Sequence, residues 1–171
     1  IIVYSTTKYI GGHGTSVGGL IIDGGNFDWE FAGPYRQSAL NTPDAGYNGI
    51  VWIEAIKLRC SIAYIMKAIT TLLRDLGGAM SPVNAWLFIQ GMETLPLRMR
   101  EHAKNAQLVA EFLKDNDKVA TVTYPSLSEG QHKVLADKYL SGGSGALIGF
   151  ELPGGLDSGK KFIDSLELLY H

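Results

Sequence analysis

The sequence has little cysteine and no long apolar run. Its 171 residues include a single cysteine, Cys60, which excludes an internal disulfide framework and the zinc-site spacings that need neighbouring thiols. No stretch approaches the roughly 20 apolar residues that a membrane-spanning helix needs. We therefore interpret Cys60 as a small core residue, and we expect a cytoplasmic protein without a membrane partner.

The sequence also lacks a large excess of charge of either sign. Fifteen basic residues stand against seventeen acidic ones, the formal net charge is -2, and no run of like charges occurs. Because nucleic acids and anionic membranes are bound by clustered cations, we expect no nucleic-acid partner. No two histidines have the spacing of metal ligands, so no metal site is predicted.

Apolar residues, by contrast, are plentiful. They make up 46% of the sequence, which is enough for one good core. The sequence opens inside a strand-like run at residues 1–4 and closes just after an apolar helical face. Because natural termini are usually polar and frayed, this pattern predicts a piece of a longer chain.

Periodicity and turn residues predict two strands, a loop and a helix in the first part of the chain. Glycine-bounded, β-branched runs indicate strands at residues 1–4 and 17–23. Prolines, glycines and aromatics across residues 27–49 predict a long ordered loop, a length usual only at a site or an interface. The helix that follows stops at Gly77 and Gly78. Its apolar residues recur at intervals of three and four: Leu58, Ile62, Ile65, Ile69, Leu72 and Leu76.

Two further helices and a smaller α/β segment are predicted after Gly78. Ser81 and Pro82 are residue types favoured at the N-cap and the first position of a helix. A longer helix at residues 96–116 carries Ala106 and Ala110 on one face, where small side chains allow close packing. The remaining elements alternate: a strand at 119–124, a helix around Leu135 and Tyr139, a strand at 146–152 and a helix at about 158–169. This succession predicts a second, smaller domain joined by the long helix.

The strongest functional signal is one lysine in the run VYSTTKYIGGHGTSVGGLIIDGG, residues 3–25. An apolar strand brings Ser5, Thr7 and Lys8 to a sheet edge, where α/β folds usually bind ligands. If the extended conformation continues, Ser5 and Thr7 point the same way and can donate to one phosphate. A desolvated Lys8 amine can form a Schiff base, and the nearby glycines let backbone approach a ligand.

A structural explanation of the same run stays open at this point. A lysine after a strand is most often a solvated surface charge, and Ser or Thr before glycine is ordinary turn chemistry. A phosphate loop fits less well, because no G-x-x-x-x-G-K-[ST] occurs and the element after Gly12 and Gly14 is a strand, not a helix. We interpret His13, between those glycines, as a turn histidine bonded to the backbone.

Longer strings resemble a known family. The run STTKYIGGHGTSVGGLIIDGGNFDW is similar to the lysine segment of the Cys/Met-metabolism family of pyridoxal-phosphate enzymes. The similarity covers nearly the whole chain, continuing in LLRDLGGAMSPVNAWLFIQGMETLPLRMREHAKNA, VTYPSL, SGGSGALIGFEL and FIDSLELLYH. The resemblance implies an α/β structure like that of the fold-type I PLP transferases. Residues 1–116 would be the C-terminal part of the large cofactor domain with its linking helix, and residues 117–171 the beginning of the small C-terminal domain.

Carried over position by position, the resemblance implies that Lys8 is the catalytic residue and holds pyridoxal 5'-phosphate (PLP) as a Schiff base. Ser5 and Thr7 match hydroxyl residues that contact the phosphate of the cofactor, and Thr6 matches no functional position. The family's partners for the pyridine nitrogen and the substrate carboxylate would lie outside this chain. Because family members form tetramers of dimers that share their sites, a homo-oligomer is expected.

The activity that the resemblance implies is γ-replacement, in which O-acetylhomoserine and sulfide, or a small thiol, become homocysteine, or methionine, and acetate. Lys8, once displaced from the cofactor, would be the general base at Cα. A C-S lyase or a cystathionine synthase of the same family is the nearer alternative. A non-catalytic scaffold that keeps the fold is the alternative from another class.

Overall fold

The computed structural model describes residues 1–31, 33, 35–56 and 61–169. The chain forms two compact units, Ile1–Glu93 and Thr94–His171. Leu58, predicted on a helix face, and Cys60, predicted in the core, lie outside the described residues. Among the helices that are described, none is both long enough and apolar enough to cross a membrane.

The first unit opens with an antiparallel hairpin. Strand β1 is Ile2–Ser5 and strand β2 is Gly19–Ile22. They pair from Ile2 opposite Ile22 to Ser5 opposite Gly19, so both predicted strands are confirmed and β2 is shorter than predicted. Every residue of the two strands is exposed, although apolar strands normally bury at least one face.

The described residues of the predicted loop at 27–49 are ordered and contain two short helical turns. These are helix α1 (Ser38–Asn41) and a 3-10 turn at Ala45–Tyr47. Helix α2 (Trp52–Ile56), which the sequence analysis did not predict, follows directly. The described residues of this segment form neither a long helix nor a strand, and packing holds them in place.

Aromatic side chains supply that packing. Leu40, Trp52 and Ala63 are buried together at the centre of the segment. Trp29 stacks on Tyr64 with ring centroids 5.5 Å apart. Large flat side chains of this kind bury much apolar area for few ordered backbone bonds, which explains how an irregular segment holds one conformation.

The apolar spacing correctly predicts the next helix within the described residues, but that helix is irregular. Helices α3 (Ala63–Lys67) and α4 (Arg74–Leu76) flank a π-helical stretch at Ala68–Leu73. The hydroxyls of Thr70 and Thr71 donate to carbonyl oxygens one turn earlier. Such back-bonding bends a helix and disturbs its regular ladder.

The predicted stop of this helix and the predicted start of the next one are both confirmed. Gly77 ends α4 at φ 71°, a left-handed conformation that glycine adopts without steric cost. Helix α5 (Pro82–Glu93) then begins, and the Ser81 hydroxyl accepts a hydrogen bond from the Asn84 amide at 3.1 Å. This N-cap satisfies one amide that the first helical turn leaves unbonded.

Asp44 joins the loop to α2 and α3. Its Oδ2 accepts hydrogen bonds from Lys67 Nζ at 2.6 Å and Trp52 Nε1 at 2.9 Å, and its Oδ1 accepts one from the Gly46 amide at 3.0 Å. The hydrogen bonds from Lys67, which has the larger effect, and from Trp52 hold the pKa of the Asp44 carboxyl below its ordinary value. The ionised carboxylate is therefore the form that stabilises this part of the fold.

The second unit places a long helix beside a short antiparallel sheet. Helix α6 is Leu95–Lys114, and the strands are β3 (Thr121–Thr123) and β4 (Gly149–Glu151). Helices α7 (Gly130–Tyr139) and α8 (Gly155–Asp164) complete the unit. All five elements were predicted, and the strands are shorter than expected.

Small side chains on α6 allow the close packing that the sequence predicts. Ala106 and Ala110 form a buried cluster with Tyr124, and Ala110 is 0% exposed. The Tyr124 hydroxyl donates to the Gly145 carbonyl oxygen at 2.9 Å. One buried tyrosine thus ties the end of β3 to the glycine-rich turn before β4.

The two compact units separate before α6, whereas the sequence analysis placed a domain boundary after it. The reason is that α6 supplies Ala106 and Ala110 to the core of the second unit. The assignment of residues 1–116 to a cofactor domain and of 117–171 to a small domain stays a prediction.

We expect Tyr124→Phe to lower the free energy of unfolding by about 1 kcal/mol, because the Gly145 carbonyl loses its donor in a partly buried place. Equilibrium denaturation of the full-length protein measures the change. Tyr139→Phe, at an exposed tyrosine, is the matched control. If the two variants unfolded at the same denaturant concentration, the role assigned to Tyr124 would be wrong.

We expect Asp44→Asn to destabilise the protein at neutral pH and to make little difference in acid. A carboxyl with a lowered folded pKa stabilises the fold above its unfolded pKa of about 4, and that contribution is lost as the pH falls through the folded value. Denaturation midpoints at pH 7 and pH 3 measure the effect. Asp117→Asn, at an exposed aspartate that forms no ion pair within the described residues, is the control. If the denaturation midpoints of Asp44→Asn and the unmodified protein differed by the same amount at pH 7 and pH 3, the prediction would be contradicted.

Candidate functional site

Lys8 lies in a tight turn that leaves β1. The Lys8 amide donates to the Ser5 carbonyl oxygen at 3.4 Å, and the Lys8 carbonyl oxygen accepts from the Gly12 amide at 2.8 Å. A third bond, from the Gly11 amide to the Thr6 carbonyl oxygen at 2.9 Å, closes the turn. Hydrogen bonds therefore hold the backbone around Lys8, and they fix the position of the Lys8 Cα from which the side chain extends.

The Lys8 side chain is exposed. It forms no salt bridge with any residue in the described part of the chain. An amine held by a carboxylate is a poor nucleophile because the ion pair favours its protonated form. Within the described residues Lys8 therefore has no ion pair to break when it bonds to an aldehyde, although its side chain is exposed here and not desolvated as the Schiff-base interpretation expects.

The two predicted phosphate ligands differ in how they are engaged. Ser5 is exposed, and its hydroxyl makes no hydrogen bond within the described residues, so it can donate to an anion. The Thr7 hydroxyl donates to the Gly18 carbonyl oxygen at 3.2 Å and accepts from the Gly18 amide at 3.0 Å. Because a phosphate oxygen only accepts, Thr7 must turn its proton away from Gly18 to bind one.

The extended conformation that would point the Ser5 and Thr7 hydroxyls the same way does not continue to Thr7. The strand ends at Ser5, and the chain turns at Thr6, so the two hydroxyls are not related by an extended backbone. The roles of Ser5, Thr7 and Lys8 toward a cofactor stay predictions. What the structure places together is an unengaged hydroxyl, a hydroxyl bonded to Gly18, and an exposed amine on one turn.

Thr6, to which the sequence analysis gave no role, is a residue of interest in this turn. It is 2% exposed, and its Oγ1 has no hydrogen-bond partner in the described residues. Ser16, near the end of the segment that connects β1 to β2, is also buried, and its Oγ has no partner among the described residues. An unsatisfied buried hydroxyl costs about 1–3 kcal/mol, so the turn retains hydrogen-bonding capacity that the described residues do not use. No signal in the sequence separates these hydroxyls from ordinary turn residues.

The glycines around Lys8 have two physical roles. Gly12 and Gly14 have φ of 69° and 67°, which strains any residue with a Cβ. Gly11 and Gly18 lie against Phe88 of α5. His13 Nδ1 donates to the Gly11 carbonyl oxygen at 2.7 Å, which confirms the prediction of a turn histidine bonded to the backbone.

This donor set fits a small phosphorylated aldehyde. An amine without an acidic partner among the described residues would supply the covalent attachment, and hydroxyl donors on the same turn would suit phosphate oxygens. No group of three or more His, Cys, Asp or Glu side chains that could hold a metal ion is found among the described residues. The residues present on this turn therefore suit PLP.

Comparison with known proteins identifies the family. The family model for Cys/Met metabolism PLP-dependent enzymes matches residues 1–171. The chain belongs to this family. The family resemblance stated from the sequence is therefore confirmed, and the enzymes of this family depend on PLP.

Curated relatives of this family share much of the sequence. An O-acetyl-L-homoserine sulfhydrylase of Leptospira meyeri is 49% identical over 98% of this chain and 39% of the relative. A homocysteine synthase of Schizosaccharomyces pombe is 42% identical over 98% of this chain and 38% of the relative. An O-acetyl-L-homoserine sulfhydrylase of Thermus thermophilus is 41% identical over 100% of this chain and 39% of the relative. The chain thus spans about two-fifths of the length of these relatives.

Solved structures of the Cys/Met-metabolism family share the fold. A Campylobacter jejuni protein described as an O-acetylhomoserine (thiol)-lyase, with N'-pyridoxyl-lysine-5'-monophosphate, has a TM-score of 0.79 and 34% identity over 99% of this chain and 41% of that one. Cystathionine gamma synthase of Xanthomonas oryzae has a TM-score of 0.63 and 29% identity over 99% of this chain and 34% of that one. The predicted α/β, fold-type I class is confirmed.

We expect Thr7→Val to destabilise the protein by about 1–3 kcal/mol even when no cofactor is bound, because the Gly18 amide and carbonyl both lose their partner. Denaturation of the cofactor-free, full-length protein measures this. Thr7→Ser keeps the hydroxyl and is the matched control. A Thr7→Val protein as stable as Thr7→Ser without PLP, but weaker in PLP binding, would show that Thr7 contacts phosphate only.

Proposed function

We propose that the full-length protein containing this chain uses PLP attached to Lys8 to convert O-acetylhomoserine and sulfide, or a small thiol, into homocysteine, or methionine, and acetate. The observation that carries the proposal is the match of the PLP-dependent family model to residues 1–171, in a chain that places the Ser5 and Thr7 hydroxyls beside Lys8 on one turn. Sulfhydrylases and homocysteine synthases among the curated relatives support the choice of substrates.

Each residue of the turn has a role in this proposal. Ser5, with its unengaged hydroxyl, donates to a phosphate oxygen of the cofactor, and Thr7 does the same after releasing the Gly18 carbonyl. Lys8 Nζ holds the cofactor covalently. When bound, PLP supplies an electron sink that stabilises negative charge on the carbon skeleton of an amino acid.

Lys8 also moves protons. When it is not bonded to the cofactor, the Lys8 amine would be a general base next to the reacting carbons. Nζ takes the proton from Cα and carries protons to and from Cβ, while the bond from Cγ to the acetate oxygen breaks and a bond from Cγ to sulfur forms. The protons return through Nζ, so the lysine ends as it began.

A C-S lyase or a cystathionine synthase is the competing activity. The solved cystathionine gamma synthase resembles this chain, at the lower TM-score of 0.63 and 29% identity. The activities separate by product: homocysteine and acetate for γ-replacement with sulfide, cystathionine when cysteine is the thiol, and ammonia with 2-oxobutyrate for a lyase. Absence of all these products, with PLP unbound, would favour a non-catalytic scaffold.

We also propose that the protein acts in the cytoplasm as a homotetramer built from dimers that share their sites. The apolar strands β1 and β2 are exposed along their whole length, which indicates that further protein, either of a longer chain or of another subunit, covers the hairpin. Apolar strands are stable when another layer covers them. Molar mass in solution, measured by light scattering, tests the tetramer.

We expect Lys8→Ala to lower turnover of O-acetylhomoserine by about 10²-fold or more, since general base catalysis alone contributes that much. Borohydride reduction of the PLP-saturated, full-length protein, followed by peptide mass spectrometry, should find the pyridoxyl group on Lys8. Lys118→Ala, which removes an exposed lysine elsewhere, should leave both results unchanged. Labelling of another lysine in place of Lys8 would refute the assignment.

A further inference from the structure

One face of helix α5 lies against the turn that carries Lys8. Asn84, Phe88 and Gly91 are spaced by four and three residues, and this spacing puts them on one side of a helix. Each contacts a different part of the connection between β1 and β2. The first unit thus presents a helical face to the lysine turn.

Gly91 makes the closest approach. A Cβ on Gly91 would lie 2.4 Å from the carbonyl oxygens of both Ile10 and Gly11, and 3.0 Å from the carbonyl carbon of Gly11. These atoms belong to the backbone of the turn, so they cannot move aside as the end of a flexible side chain can. The helix reaches this position because residue 91 has no side chain.

Phe88 fills the space beside that contact. Its ring lies against two glycines of the connection: a Cβ on Gly11 would be 3.1 Å from Phe88 Cδ1, and a Cβ on Gly18 would be 2.6 Å from Phe88 Cε2. Phe88 is 4% exposed. A buried ring packed at this density resists displacement, since protein interiors have few voids.

Asn84 fixes the other end of the same face. Its Nδ2 donates to the Val17 carbonyl oxygen at 3.2 Å, while its own amide donates to the Ser81 hydroxyl at 3.1 Å. The start of α5 and the end of the connection are therefore joined by one side chain. The helix contacts the connection near both of its ends.

The hydrogen bonds of the turn connect this face to Lys8. Gly11, whose carbonyl meets Gly91, donates its amide to Thr6 at 2.9 Å, and the adjacent Gly12 donates to the Lys8 carbonyl at 2.8 Å. A displacement of the backbone at Gly11 therefore moves the residues on both sides of Lys8.

We propose that Asn84, Phe88 and Gly91 of α5 are positioning residues that set the place from which the Lys8 amine reaches its cofactor and substrate. The inference rests on the proposed function, in which Lys8 holds PLP and moves protons. None of the three residues touches the reacting atoms in this proposal; they act through the backbone of the turn.

Gly91→Ala is the sharpest variant. Carbon and oxygen atoms pack at about 3.5 Å, so the turn must retreat by about 1 Å from the new methyl group. Misplacing a catalytic group by about that distance can cost on the order of 10²-fold in rate. We expect kcat to fall by about that factor while KM changes little, since the substrate-binding groups stay in place.

Gly159→Ala is the matched control. Gly159 is also a helical glycine, in α8, and a Cβ there meets nothing within 4 Å. Both substitutions raise helix propensity equally, so a difference between them reports the contact with the lysine turn. The full-length protein is used for each variant.

Two measurements besides turnover separate positioning from stability. The first is the fraction of Lys8 that carries the pyridoxyl group after borohydride reduction at limiting PLP. The second is the pH at the midpoint of the visible absorbance change of the bound cofactor. We expect Gly91→Ala to lower the first and to move the second by about half a pH unit or more, because the surroundings of the nitrogen that links Lys8 to the cofactor set its proton affinity. Gly159→Ala should match the unmodified protein in both.

A second variant covers the case in which Gly91→Ala does not fold. Phe88→Leu removes the ring from Gly11 and Gly18 without a clash, and it should change the same two measurements by a smaller amount. If the unmodified protein shows no pyridoxyl group on Lys8, the proposed function and this inference both fall. If the unmodified protein is labelled there, and Phe88→Leu and any folded Gly91→Ala protein behave like Gly159→Ala, the positioning role alone is overturned.

Discussion

The contact between two backbones, that of helix α5 and that of the lysine turn, is the constraint on which the first unit depends. Gly91 lets α5 approach the carbonyl oxygens of Ile10 and Gly11, and glycines at 11 and 18 receive the Phe88 ring. A Cβ at Gly91 or Gly18 would force neighbouring atoms to shift, and a Cβ at Gly11 would be tight, so the turn and the helix fit closely in this arrangement. The start of the Lys8 side chain follows from that arrangement.

Several polar groups of the lysine turn have no partner among the described residues, and they remain available to bind a ligand. Lys8 lacks a carboxylate partner, and the Ser5 hydroxyl and the buried Thr6 hydroxyl lack acceptors or donors in the described residues. Folded proteins seldom leave buried polar atoms unpaired. Together with the PLP-dependent family to which the chain belongs, this unused capacity supports our proposal that the turn binds a phosphorylated aldehyde.

Local patterns predicted most elements, and long-range contacts account for the differences. The Ser81 cap, the Gly77 stop and the small face of α6 depend on neighbours in sequence, and each is found as predicted. The irregular segment before α2 takes its order from aromatic packing between residues far apart, such as Trp29 and Tyr64. Periodicity cannot report contacts of that kind, because they do not repeat along the chain.

The sequence by itself determined the α/β character of the chain, the family of its lysine segment and the residues Ser5, Thr7 and Lys8 as the candidate site. Only the tertiary structure decided that the Thr7 hydroxyl bonds to Gly18 and that α5 lies against the turn. The physical reason is range. A strand, a cap or a glycine stop follows from forces between adjacent residues, whereas the fit of Gly91 against Gly11 exists only once the chain has brought distant backbone segments together.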